Sequence, residues 1–130
     1  MLQRRLTEIT LLEKKYGKIE HGPNLEWVLF REFRLKKGWN RDMTELLIII
    51  PPGYPVTPPD NFYVPTGFRL ESGAMPQSYS ENQNHLERQW GVFSVHIQKE
   101  TWSPSADILS GNNLLTYLMV VVEKRLEEVN

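Results

Sequence analysis

The chain opens on a helical period. Leu2, Leu6, Ile9 and Glu13 recur at three- and four-residue spacing, with Leu12 and Tyr16 beside the stripe, so residues 1–16 are predicted to form an amphipathic helix. Gly17 is a good stop for it. From Glu26 to Leu35 the period changes to two. Trp27, Leu29, Arg31, Phe33 and Leu35 fall on one face, and Val28, Phe30, Glu32 and Arg34 on the other. Apolar residues on both faces predict a strand partly buried on each side. After the turn at residues 36–40, the β-branched, apolar run from Thr44 to Ile50 reads as a central strand. A helix followed by strands joined through short turns predicts an antiparallel meander.

The texture then changes. Residues 51–59 hold five of the nine prolines, which fix φ and remove backbone donors, so an extended, stiff loop is predicted there. Residues 61–64 form a short strand candidate. Residues 66–89 are polar and aperiodic, and a loop that long points to function or mobility. Alternation returns from Trp90 to Ile97. A final helix is predicted from Ile108 or Gly111 to Val129, capped by Asp107 or Ser110, with Leu114, Leu118, Val121, Val122 and Leu126 as its buried stripe. Four strands, two helices and one long loop in 130 residues give an α+β fold in one domain, 1–130.

Composition narrows the chemistry. The formal net charge of −1 excludes a strong global attraction to nucleic acid. Cysteine is absent, which excludes disulfides, thiolate metal sites and thiol nucleophiles in the chain as given. The three histidines show no ligand spacing, so no metal is expected, and no cofactor. No apolar run approaches the roughly 20 residues of a membrane span. No apolar core follows Arg4 and Arg5, as it would in a signal peptide, so a cytoplasmic location is expected.

Three motifs occur in order. Tyr54-Pro55-Val56-Thr57-Pro58-Pro59 follows an apolar strand and two prolines. Gly91-Val92-Phe93-Ser94-Val95-His96-Ile97 comes next, and Trp102-Ser103-Pro104 after it. Together they resemble the ubiquitin-conjugating (UBC-fold) family, with its Y-P-x-x-P-P, G-S-I-C-L-D-I-L and W-S-P motifs. Ser94 stands where that family carries its catalytic cysteine, eight residues before Trp102, which is the family's spacing. The resemblance covers roughly the whole chain. It implies an antiparallel sheet packed against helices, with residues 66–89 as a long active-site loop. The chain as given stops after the helix that follows W-S-P, so the family's last two helices are expected to be missing. The family's H-P-N triplet is also absent from its place, where the chain reads Asn84-His85-Leu86. These traits resemble a divergent prokaryotic branch.

The resemblance implies acyl transfer. The family's cysteine takes the C-terminal acyl group of ubiquitin as a thioester and passes it to an amine. A serine can hold the same group as an oxyester, but a hydroxyl needs a base beside it. His96 lies two residues from Ser94 on an apparent strand, so both side chains are expected on one face, with backbones about 6.5–7 Å apart. His85 is the second candidate base, histidine being suited to proton transfer near neutral pH. Asn84 and Asn82 are the candidate oxyanion donors, and Trp102 a supporting residue. Arg4, Arg5, Lys14 and Lys15 on the first helix are read as the docking face for an activating enzyme, or simply as a solvated face. The partners implied are a ubiquitin-like protein, its activating enzyme and a target protein, with no nucleic acid and no membrane. Two alternatives stay open. The serine could replace a native cysteine, leaving a thioester carrier. Or the domain could be an inactive binding module that holds a ubiquitin-like protein or a partner enzyme; a structural interaction domain of the related RWD type is a weaker third.

Overall fold

The structure is a computed structural model that describes residues 2–128. The helical period at the N-terminus gives α1 (Leu2–Tyr16). The strands are β1 (Ile19–His21), β2 (Trp27–Arg34), β3 (Met43–Ile49) and β4 (Phe62–Pro65), followed by a hairpin of β5 (Tyr79–His85) and β6 (Arg88–Phe93). Short 3-10 turns at Lys99–Thr101 and Ile108–Ser110 lead to the last helical rod. It starts as α2 (Leu114–Thr116), widens to a π-helical segment (Tyr117–Val122) and ends as α3 (Glu123–Glu127). The expected end at Val129 lies outside the described residues.

All strand pairs are antiparallel, in the order β1-β2-β3-β4-β6-β5. The sheet therefore has six strands, not the four expected. The extra pairing comes from β1 and from β5, which lies inside the segment read as a long loop. β5 escaped notice because it is an edge strand exposed along most of its length, so its sequence Tyr-Ser-Glu-Asn-Gln-Asn-His carries no apolar alternation. The rest of that segment is tied down. Glu71 N–H donates to the Gly38 carbonyl at 2.8 Å, and Glu81 accepts from the Gly67 N–H at 2.7 Å and the Tyr79 hydroxyl at 2.8 Å.

Helices cover one face of the sheet. Ile9 and Leu12 of α1, Phe30 and Phe33 of β2, Ile48 of β3, Phe62 of β4, Phe93 of β6, and Leu114, Leu118 and Leu126 of the last rod share one core. On the opposite face Leu29, Leu47 and Trp90 form a smaller cluster, covered by Trp27, Ile49 and Tyr63. The strict alternation read along β2 fails halfway. A bulge between Phe30 and Phe33 turns Phe33 to the helix side, while Arg31 stays on the outer face with Glu20 and Glu45, at 2.8 and 2.6 Å.

The buried stripe of α1 is also rotated from its expected place. Leu2 and Leu6 are half exposed, and Arg5, Glu8, Ile9 and Leu12 are buried. The polar members are accepted because each makes hydrogen bonds, although the buried Arg5 Nε has no partner. The Glu8 carboxylate accepts from Arg4 Nε at 2.7 Å, the Tyr54 hydroxyl at 2.5 Å and the Leu114 N–H at 2.6 Å. Arg5 donates to the carbonyls of Leu25 and Pro51, each at 3.1 Å. A hydropathy period cannot see partners that arrive from elsewhere in the chain. The last rod is capped by Asn113, whose side chain accepts from the Thr116 N–H at 2.8 Å in a capping box, rather than by Asp107 or Ser110. Among the described residues no helix is long and apolar enough to cross a membrane.

Candidate active site

β6 ends at Phe93, which is fully buried and stacked on Phe62 with centroids 5.1 Å apart. Beyond it residues 94–98 belong to no strand, so the strand expected to run to Ile97 stops short and Ser94 and His96 lie in the segment that follows it. Ser94 is exposed, Val95 half-buried, His96 exposed and Ile97 half-buried. Val95 and Ile97 pack on the main core, and that anchoring turns the alternate residues outward. Ser94 and His96 thus share the solvent side, as their spacing predicts. They open onto one depression of about 330 Å³, lined with them by Asp60, Asn61 and Val95.

Asp60 and Asn61 reach this site because β4 is the neighbour of β6. Phe62 faces Phe93 in the ladder, so Asn61 and Ser94 both leave it at the same end. Asn61 Oδ1 accepts the Val95 N–H at 3.0 Å, and the Ser94 N–H donates to the Ser78 carbonyl at 2.8 Å. Asp60 Oδ1 lies 3.9 Å from His96 Nδ1. That is beyond direct hydrogen-bond range and within reach through one water or a small side-chain rotation. Both side chains are more than half exposed, so the pair orients the ring only loosely until something covers it. Sequence reasoning passed over Asp60 and Asn61. They follow the proline run directly, but only the β4–β6 pairing reveals what they face.

The other expected site residues are placed elsewhere. His85 closes the β5–β6 hairpin opposite Arg88, six positions before Ser94 and so about 20 Å from it along the strand. Its ring packs edge-on against Tyr63 at 4.5 Å, and partial burial lowers its pKa from the usual value. Asn84 pairs with Gln89 near the same end, and Asn82 sits in the bulge between Ser80 and Gln83 at positive φ. The structure brings none of these three to Ser94, because residues 79–93 form a hairpin rather than a loop folded over the nucleophile. Trp102 is nearly buried. Its indole N–H donates to the Pro55 carbonyl at 2.7 Å, so it ties the W-S-P segment to the proline run.

The basic residues of α1 divide. Arg4 bonds Glu8 and the Ser105 carbonyl, at 2.7 and 2.5 Å, and Arg5 is buried on two carbonyls. Neither is free to meet a partner, contrary to the docking face expected. Lys14 and Lys15 are exposed. A depression of about 520 Å³ lies between the end of α1, β2 and α3, lined by Tyr16, Phe33 and Glu123 among others. It is larger than the one at Ser94 but contains no serine, threonine or histidine, so chemistry rather than size points to Ser94. Among the described residues no three His, Asp or Glu side chains converge as a metal ion would need.

A sequence model described as prokaryotic E2 family E matches residues 6–128. No curated protein matches the chain, and no solved structure does.

Proposed function

Because the chain belongs to prokaryotic E2 family E, we propose that it is a ubiquitin-conjugating-like carrier whose acceptor is the Ser94 hydroxyl. The observation that carries this reading is the pairing of an exposed serine with an exposed histidine two residues on, over a shared depression bounded by Asp60. A ubiquitin-like protein arrives as a thioester on an activating enzyme. Ser94 Oγ attacks the thioester carbonyl while its proton passes to Nε2 of His96, the ring nitrogen turned away from Asp60. The tetrahedral intermediate collapses, the carbon–sulfur bond breaks and the departing thiolate takes a proton from His96. An amine of the target then attacks the Ser94 oxyester. The carbon–oxygen bond breaks, an amide forms, and Ser94 recovers its proton. Lys14 and Lys15 contribute to docking the activating enzyme.

The test is an adduct assay with the activating enzyme, the ubiquitin-like partner and ATP. The expected adduct survives thiol reductant, is cleaved by mild hydroxide, and vanishes in Ser94→Ala. A thiol-labile adduct formed by Ser94→Cys alone would assign the site to a thioester carrier whose cysteine has been replaced. No adduct from either form would leave a module that binds a ubiquitin-like protein without carrying it. The distance of Asn82 and Asn84 from Ser94 is the observation on that side.

A further inference from the structure

An oxyester carrier needs a hydrogen-bond donor for the negative charge that develops on the acyl oxygen, and the backbone at Ser94 does not offer one. The Ser94 N–H is engaged by the Ser78 carbonyl at 2.8 Å, and the Val95 N–H by Asn61 Oδ1 at 3.0 Å. The same bond fixes the orientation of the Asn61 amide. A backbone N–H can only donate, so the Asn61 oxygen must face it and the Asn61 NH₂ must point the other way. Among the described residues nothing accepts a hydrogen bond from that NH₂, and Asn61 lines the depression that Ser94 and His96 open onto. The ladder places the two residues at one end of the sheet. Phe62 faces Phe93, so Asn61 and Ser94 are the first residues beyond the same end of the β4–β6 ladder, and both line the one depression.

We infer that Asn61 is the oxyanion donor of this site, its side-chain N–H stabilising the acyl oxygen during attack by Ser94. The inference rests on the Ser94 acyl-transfer reading. It gives a role to a residue on β4's entry, where neither Asn82 nor Asn84 can act. The residue is held from two sides. Its own oxygen is bonded to Val95, and the carbonyl of its neighbour Asp60 accepts the buried Tyr117 hydroxyl at 2.5 Å. A donor fixed before the substrate arrives needs no reorganisation during reaction, the property that makes such groups effective.

The experiment uses a peptide α-thioester as acyl donor, with thiol release and the mass shift at Ser94 as readouts. Asn61→Asp keeps the oxygen that accepts from Val95 and removes the donor. Asn61→Ala removes the donor without adding charge. Both are expected to acylate about 10²–10³-fold more slowly than the unaltered chain, the usual loss for one oxyanion donor. Asn61→Asp should do so with an unchanged melting temperature and an unchanged half-saturating thioester concentration. If the unaltered chain is acylated and Asn61→Asp reacts at the same rate, Asn61 has no such role and the Ser94 reading stands. If Ser94→Cys is acylated and the unaltered chain is not, the serine reading falls and the Asn61 inference with it. Failure of both forms removes both.

Discussion

The hydroxyl of Tyr117, in the π-helical segment, donates to the carbonyl of Asp60 at 2.5 Å. Tyr117 is fully buried, and burial pushes its phenol pKa well above the usual value, so the group stays a neutral donor at any working pH. This one bond couples the last helical rod to the short segment that faces Ser94. Tyr117→Phe should cost about 1–2 kcal/mol, since the Asp60 carbonyl loses its partner. It should also slow acylation at Ser94. Chemical denaturation and the thioester assay measure the two effects separately.

The base can be tested in the same way. His96→Ala is expected to lower the acylation rate by about 10²–10⁴-fold, the span of general base catalysis. Asp60→Asn should lower it less, because Asp60 only orients the ring from 3.9 Å. His85→Ala should leave the rate unchanged, as the hairpin holds that ring at the far end of β6. Full activity in His96→Ala would remove its assigned role.

Glu8 joins three segments: α1 through Arg4, the proline run through Tyr54, and the last rod through the Leu114 N–H. Glu8→Ala leaves those donors buried and unmatched, and about 3–5 kcal/mol of stability should be lost. That is a large part of the roughly 5–15 kcal/mol that holds a domain folded. Equilibrium urea unfolding should show the drop, with Leu6→Ala, on the exposed side of the same helix, changing little.

Charge reversal on α1 should separate its four basic residues. Lys14→Glu with Lys15→Glu is expected to slow transfer from the activating enzyme at unchanged melting temperature. Arg5→Ala is expected to lower the melting temperature, because two backbone carbonyls lose their donor. Equal behaviour of the two variants in both assays would contradict this division.

His85 makes stability depend on pH. Desolvation by partial burial lowers its folded-state pKa below the unfolded value near 6.5, so the unfolded chain binds the proton more readily. Its contribution is therefore complete above about pH 6.5 and is lost as pH falls through the lower folded value. Melting temperatures between pH 7.5 and 5 should decline more steeply in the unaltered chain than in His85→Gln.

Much of this protein can be read along the chain. The helical period of α1, the alternation of β2 and the apolar run of β3 are local properties, and each element formed near its expected bounds. The proline segment, expected to be extended, is instead folded into turns over residues 52–57, with Tyr54 N–H donating to the Pro51 carbonyl and Thr57 N–H to the Gly53 carbonyl, each at 3.0 Å. The outward placement of Ser94 and His96 was legible from the alternation of residue types, since Val95 and Ile97 want the core and the residues between them are left to solvent. What the sequence could not supply is which strands become neighbours. β5 is polar because it is an edge. The stripe of α1 turned toward Arg5 and Glu8 because their partners come from residues 25 to 114. Asp60 and Asn61 face Ser94 only because β6 pairs with β4. Local pattern fixes the period of a backbone, but long-range pairing decides what each side chain meets.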